Sequence, residues 1–193
     1  MASDTTSADY TTQFTKIKSL ALAFGVQGSA LYENKELLND IVDAIQFMVT
    51  DKQYNGSYWT GNWWDWQIGC TQPLVDTLMV ISDYVDYSEI EATVKSIEGY
   101  AKRPSIQWPS YTAKGAKRTD IGLSVLGSAI LAKNEERMNL VKNEVPDVMQ
   151  PVTSGNRIDA DEYGVPYTKD DTSANEGNER LQGVERAQSH QVE

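Results

Sequence analysis

The protein has 193 residues, a formal net charge of −11 and a hydrophobic fraction of 40%. This length is enough for one domain with a substantial core. The acidic balance argues against nucleic acid or an anionic membrane surface as a partner, because neutralising phosphates requires a basic face. The single cysteine, Cys70, excludes an intramolecular disulfide, and with His190 as the one histidine it argues against a metal site. We expect Cys70 to be buried, and we expect no cofactor.

Six helices are predicted from apolar residues that recur at three- and four-residue steps. They cover residues 9–24, 34–48, 71–87, 88–100, 119–133 and 135–143. Asn34 and Ser88 are the expected N-caps of the second and fourth helices. Residues 106–116, which include Pro109 and Gly115, are expected to form an ordered loop. No run of alternating apolar residues indicates a sheet, so the sequence predicts an all-α fold of helical hairpins.

The two ends of the chain differ in composition from the helical part. Residues 1–8 are small and polar, and we expect a disordered leader without a secretory signal. No apolar run approaches the roughly 18–20 residues that span a bilayer. Residues 154–171 are expected to form a loop and residues 172–193 a disordered acidic tail, because few apolar residues are present to offset the entropy of ordering. The helical domain is therefore predicted to cover residues 9–153.

One stretch, residues 58–69, holds four of the five tryptophans, Trp59, Trp63, Trp64 and Trp66. Two interpretations fit such a density. The rings pack into a corner of the core with their indole N–H groups bonded, or they form a stacking platform for a flat ligand. The run by itself favours neither interpretation.

One segment, residues 101–118, is locally basic within this acidic chain. It contains no acidic residue, and an anionic substrate would need such a site. Its cationic residues are Lys102, Arg103, Lys114, Lys117 and Arg118.

The aromatic stretch also carries a family resemblance. Residues 62–69, Asn-Trp-Trp-Asp-Trp-Gln-Ile-Gly, resemble the NWWDWEIG signature of polysaccharide lyase family 8, which comprises hyaluronate, chondroitin AC and xanthan lyases. Residues 34–38, 115–120 and 165–168 are similar to further landmarks of the family and follow in the same order. The resemblance covers about residues 14–168. It implies an incomplete (α/α) toroid of helical hairpins, of which this chain contains a part.

The resemblance also implies a chemistry, β-elimination in a polysaccharide that contains uronic acid. The uronate carboxylate is neutralised, the proton alpha to it is removed, and the glycosidic oxygen leaves with a proton donated by the enzyme. Since that C–H is a weak acid, hydrogen-bond donors must stabilise the charge that develops on the carboxylate. In the family an asparagine does this with help from a histidine, and a tyrosine shuttles the proton.

The binding residues of the family have counterparts here. Trp63, Trp64 and Tyr111 match its aromatic patch, and the resemblance implies that Asn62 and Arg118 bind substrate with them. We call Trp63, Trp64 and Tyr111 the aromatic platform, because indole and phenol rings suit the apolar face of a pyranose. The resemblance favours the platform interpretation for the two tryptophans. The remaining members of the run, Trp59, Asp65 and Trp66, are expected to have structural roles in the core or the turn.

The catalytic positions of the family are not matched. Lys117 stands where the family has its carboxylate-binding asparagine, and lysine can neutralise a carboxylate but lacks the amide. Glu162 lies at the position nearest the histidine, and Asp171 lies where the tyrosine is expected. Tyr167 is a weak substitute, and His190 is too far along the tail to be expected in catalysis.

Three hypotheses for function remain open. The first is a truncated family member that binds acidic polysaccharide of the hyaluronan or xanthan kind without β-elimination. The second is an active lyase that uses Lys117 and a tyrosine, or parts supplied by a second chain. The third is a helical scaffold for a protein partner, with the tryptophans in the core.

Two further expectations follow from the toroid and from the family. An open toroid leaves an apolar helix face uncovered, so self-association or a complementing chain is a candidate interaction. The family is typically secreted. We therefore expect an extracellular protein if a signal has been removed, and otherwise a cytoplasmic one.

Overall fold

A computed structural model of the chain describes residues 6–146. This part of the chain contains six α-helices, a π-helical turn and one two-stranded antiparallel hairpin. The elements are α1 (Ser7–Gly25), α2 (Lys35–Thr50), the π-helical turn (Asp65–Gly69), α3 (Thr71–Ile81), α4 (Tyr87–Tyr100), β1 (Ile106–Gln107), β2 (Tyr111–Thr112), α5 (Gly115–Leu131) and α6 (Glu135–Glu144).

The helices form two rows that alternate along the chain. In one row, α3 packs between α1 and α5. In the other, α2 contacts α1 and α4, α4 contacts α5, and α6 packs on α5. The predicted all-α architecture, a partial toroid of helical hairpins, is confirmed. Within residues 6–146, no helix is long and apolar enough to cross a membrane.

The main core lies between the two rows and includes a cluster of three large aromatic residues. Trp66 is 2% exposed, and its ring lies 5.9 Å from that of Tyr54 and 5.5 Å from that of Tyr100. Cys70 is fully buried beside them, and burial raises the pKa of its thiol to about 12. The predictions that Trp66 and Cys70 belong to the core are confirmed.

The first two helices begin at capped residues. Asn34 is the N-cap of α2 as predicted, since its Oδ1 accepts the Leu37 N–H at 2.9 Å. Thr6 and Asp9 form a capping box that starts α1 at Ser7. The prediction of a disordered leader through residue 8 is therefore wrong at its last two residues.

Two other helix boundaries differ from the prediction. The third helix ends at Ile81 rather than near Tyr87, because Asp86 caps α4 and its N–H donates to Glu89 Oε2 at 2.9 Å. Ser88 lies inside α4 and is not its N-cap. The fifth helix starts at Gly115, four residues before its predicted start at residue 119.

The predicted loop at residues 106–116 holds the hairpin and the first turn of α5. The pairing joins Ile106 to Thr112 and Gln107 to Tyr111. The predictions for the loop at 154–171 and the tail at 172–193 lie outside the described residues, as does the end of the domain at residue 153.

The expected uncovered helix face has a counterpart between α1 and α2. These helices line an open groove of about 740 Å³. Its wall includes Leu20, 41% exposed, and Phe47, 49% exposed. Self-association through this face stays a prediction.

Candidate functional site

The tryptophan run starts with a capped helical turn. Asn62 Oδ1 accepts the Trp64 N–H at 3.1 Å, as an N-cap side chain does. The Asn62 N–H in turn donates to Ser7 Oγ at 3.1 Å. The backbone that carries Trp63 and Trp64 is therefore bonded to the first turn of α1.

Asp65 connects this turn to α1 through hydrogen bonds of its carboxylate. The residue is 6% exposed, and its carboxylate accepts hydrogen bonds from Ser7 Oγ at 2.7 Å and from Thr11 Oγ1 at 3.0 Å. The carboxylate lies beside the amino end of α1, where the helix dipole favours negative charge. The structural role predicted for Asp65 agrees with these contacts.

Gln67 anchors the hairpin to the same turn. Its Nε2 donates to Ile106 O at 2.8 Å and to Tyr100 O at 3.3 Å, and its Oε1 accepts the Trp108 N–H at 2.8 Å. The side chain is 2% exposed, so these bonds are shielded from water. One amide thus fixes the end of α4 and strand β1 relative to the π-helical turn.

Trp63 and Trp64 lie at the boundary between core and surface. Both are half-buried and pack on a second apolar cluster. The cluster comprises Ile68, Ala101, Ala113, Ile121 and Val125. Every residue from 65 to 71 is buried, so the exposure of the run changes abruptly after Trp64.

Trp64 also has a fixed place against the π-helical turn. A Cβ added to Gly69 would lie 2.6 Å from Cζ3 of Trp64, so the indole rests directly on this glycine. The same ring lines a cavity of about 280 Å³ between α1 and α3. The absence of a side chain at Gly69 therefore leaves the space that the Trp64 ring occupies.

The third platform residue, Tyr111, lies on the hairpin. It is 66% exposed and stands opposite Gln107 in the strand register. The hairpin leads through buried Ala113, which belongs to the cluster below Trp63 and Trp64, into α5. Trp63 and Trp64 thus pack on this cluster, and Tyr111 precedes one of its members by two residues.

The two basic site candidates have different environments. Lys117 is half-buried in the first turn of α5, where the helix dipole adds positive potential. Arg118 is 9% exposed, and its Nε donates to Ala113 O at 2.9 Å while Nη1 donates to Glu144 O at 3.4 Å. These bonds assign Arg118 a positioning role between the hairpin, α5 and α6, which the sequence interpretation as a binding residue did not include.

A further aromatic pair lies on the surface and was not anticipated. Trp59 is 37% exposed, so the expectation that it belongs to the core is wrong. Its ring meets that of Trp108 edge to face, with the centroids 6.0 Å apart and an interplanar angle of 79°. Lys102 Nζ lies 5.3 Å from the centroid of the Trp108 ring. The signal available in the sequence was a tryptophan in the basic segment, directly before Pro109.

Other expected site residues lie outside the described part of the chain. These are Glu162, Tyr167, Asp171 and His190. Within residues 6–146, no group of three or more His, Cys, Asp or Glu side chains is arranged to hold a metal ion.

Comparison with known proteins establishes the family of this chain. Residues 1–190 match the family model described as polysaccharide lyase family 8, N terminal alpha-helical domain. The chain belongs to polysaccharide lyase family 8. The two helical rows and the anchored Asn-Trp-Trp stretch are thus features of a lyase-family domain.

Two relatives come from Enterococcus faecalis (strain ATCC 700802 / V583). The chain is 44% identical to the polysaccharide lyase 8 family protein HylA over 190 residues, which is 97% of this chain and 14% of the relative. It is 36% identical to the hyaluronate lyase HylB over 195 residues, which is 94% of this chain and 19% of the relative. The chain therefore spans less than a fifth of the length of these lyases.

Solved structures agree with the family. A xanthan lyase from Paenibacillus superposes with a TM-score of 0.70 and 26% identity, over 81% of this chain and 14% of that one. A Streptomyces coelicolor A3 chondroitin AC lyase in complex with chondroitin sulphate superposes with a TM-score of 0.68 and 22% identity, over 77% and 20% of the two chains. At that identity the second likeness shows the fold alone.

Proposed function

We propose that this lyase-family domain binds an acidic polysaccharide containing uronic acid through the aromatic platform of Trp63, Trp64 and Tyr111. The observation that carries the proposal is the abrupt change of exposure after Trp64, because residues 65–71 are all buried while both platform tryptophans stay half-buried. Their backbone is held by Asn62 and Asp65, and both rings pack on the apolar cluster below them, which restrains them before a ligand arrives. Such preorganisation lowers the entropic cost of binding.

The ligand class follows from ring chemistry and from the relatives. A pyranose has an apolar face that stacks on indole and a polar rim that remains in water. Relatives of this chain are named hyaluronate lyase and xanthan lyase, and both polymers carry uronic acid. We infer a polymer of this kind, with hyaluronan as the first ligand to test. Since the family is typically secreted, the proposal is for an extracellular site.

We infer that this chain alone does not carry out β-elimination. Lys117 supplies a positive charge for the uronate carboxylate, but lysine is a flexible point charge without the planar amide that the family uses. Proton removal from the carbon beside the carboxylate needs a donor aimed at the developing negative charge, and a displaced donor loses much of the rate.

Calorimetric titration with a hyaluronan octasaccharide tests the binding proposal. Trp63→Ala and Trp64→Ala are each expected to weaken binding about tenfold, which corresponds to about 1.4 kcal/mol of lost stacking. The matched control is Phe47→Ala, which removes an aromatic ring of 49% exposure from α2. Unchanged affinity in both tryptophan variants, with native circular dichroism, would refute the platform and favour the scaffold hypothesis.

A second candidate function is residual lyase activity through Lys117. The position of this residue in the first turn of α5 favours it, since the dipole adds to its positive charge. The ultraviolet absorbance of unsaturated uronate measures turnover. Activity that is present in the wild type and abolished in Lys117→Ala would support the lyase, whereas a flat trace at every pH would exclude it for this chain.

A further inference from the structure

Trp59 combines an exposed side chain with a fixed backbone. The carbonyl before it, Tyr58 O, accepts the Tyr100 hydroxyl, and the carbonyl after it, Thr60 O, accepts Trp66 Nε1 at 2.6 Å. Both donors belong to the buried aromatic cluster. The backbone on both sides of Trp59 is therefore fixed to the core, while its side chain is 37% exposed.

Trp108 is held in a similar way on the neighbouring segment. Its backbone N–H donates to buried Gln67 Oε1 at 2.8 Å. Its Nε1 is buried and has no hydrogen-bond partner within residues 6–146. The ring contacts Trp59 edge to face and lies under the ammonium of Lys102.

The three side chains form a corner with two apolar walls and one charge. The rings of Trp59 and Trp108 stand at 79° to each other, and Lys102 Nζ lies 5.3 Å from the Trp108 centroid. Lys102 is exposed, whereas the adjacent Arg103 is paired with Glu144. Lys102 therefore supplies a positive charge at this corner.

We propose that Trp59, Trp108 and Lys102 form a second sugar subsite that binds one acidic pyranose of the same polysaccharide. The face of the pyranose stacks on Trp59, its edge contacts Trp108, and its carboxylate pairs with Lys102. Two walls at nearly a right angle fit a single ring better than a flat protein surface, and the Lys102 ammonium, in a segment without acidic residues, suits one carboxylate. This inference rests on the proposed polysaccharide binding.

The corner and the aromatic platform share the β1–β2 hairpin. The β1–β2 hairpin carries Tyr111, and Trp108 follows β1 directly in the connecting turn. Gln67 attaches that hairpin to the turn behind Trp63 and Trp64. Because Trp108 and Tyr111 belong to one short hairpin, we expect the two groups of rings to bind successive parts of one ligand.

Calorimetric titration of the full chain tests the subsite with two probes, a hyaluronan octasaccharide and the same octasaccharide with its carboxyl groups reduced. Trp59→Ala is expected to weaken binding of both probes about tenfold, because stacking does not depend on charge. Lys102→Ala is expected to weaken binding of the acidic probe about threefold and to leave the reduced probe unaffected. The control is Lys35→Ala, which removes an exposed lysine from the first position of α2.

The outcomes separate this subsite from the platform. If Trp63→Ala weakens binding while Trp59→Ala and Lys102→Ala do not, the subsite is refuted and the platform stands. If Trp59→Ala weakens binding and Trp63→Ala does not, the corner is supported and the platform is refuted. A wild type that binds neither probe refutes both. Trp59 makes one surface ring contact with Trp108, so Trp59→Ala is expected to fold, which circular dichroism checks.

Discussion

Removal of the Asp65 carboxylate is expected to loosen the turn that carries Trp63 and Trp64. In Asp65→Ala, the hydroxyls of Ser7 and Thr11 lose their shared acceptor. Hydrogen bonds to a charged group contribute about 1.5–3 kcal/mol each, and a carboxylate at a helix amino end adds about 0.3–1 kcal/mol. Part of the lost hydrogen-bond free energy is regained, because Thr11 is only partly buried and its hydroxyl can bond to water instead. We expect a loss of about 3 kcal/mol.

Urea denaturation followed by circular dichroism measures this loss. Asp65→Asn keeps one acceptor oxygen and is expected to cost about half as much. Thr11→Val preserves shape, and it is expected to cost about 1.5 kcal/mol in the wild type and almost nothing in Asp65→Ala, because the hydroxyl acts through the carboxylate. A loss below about 1 kcal/mol for Asp65→Ala, or an equal cost of Thr11→Val in both backgrounds, would refute the anchoring role.

Three further predictions concern the same turn. Gly69→Ala places a Cβ 2.6 Å from the Trp64 ring and is expected to cost about 1–3 kcal/mol in urea denaturation and to weaken octasaccharide binding; a neutral variant would contradict the packing. Gln67→Glu loses amide donors to two backbone carbonyls and is expected to cost about 2 kcal/mol at pH 7, with a smaller cost at acid pH where the carboxyl regains a donor. Burial raises the pKa of Cys70 to about 12, above its unfolded value of about 9. As pH rises from 9 towards 12, the free energy of unfolding of the wild type is therefore expected to fall faster than that of Cys70→Ala, by up to about 1.4 kcal/mol per pH unit. Free energies of unfolding that fall in parallel in the two proteins would exclude a contribution of the buried thiol.

Helix positions were predictable wherever the apolar period and the cap agreed. For α2, the apolar stripe and the N-cap Asn34 together predicted the residue at which the helix starts, because both signals are local in the sequence. The boundary between α3 and α4 was misplaced although Asp86 and Glu89 carry the spacing of a capping box. The apolar stripe continues through Val85, so the prediction extended the third helix past the capping box at Asp86.

The site was predictable only in part, for reasons of tertiary structure. The NWWDWQIG stretch identified Trp63 and Trp64, and a structural role for Asp65 followed from the same comparison. The partners of Asp65 lie in α1, more than 50 residues earlier, and no local pattern reveals them. Trp59 was misassigned because the run does not show which of its rings enter the core, and the ring that Trp59 contacts, Trp108, is distant in sequence. The π-helical turn was missed because its hydrogen bonds leave no periodic signature.

The indole N–H resonances of the five tryptophans give the most direct test of the account. In a ¹⁵N-labelled sample titrated with a hyaluronan octasaccharide, the resonances of Trp63 and Trp64 are expected to shift and to saturate together. Trp66 is the internal control, because its indole N–H is buried and bonded to Thr60 O at 2.6 Å, so its resonance is expected to stay in place. Stationary Trp63 and Trp64 resonances at a saturating concentration of ligand would contradict the polysaccharide site.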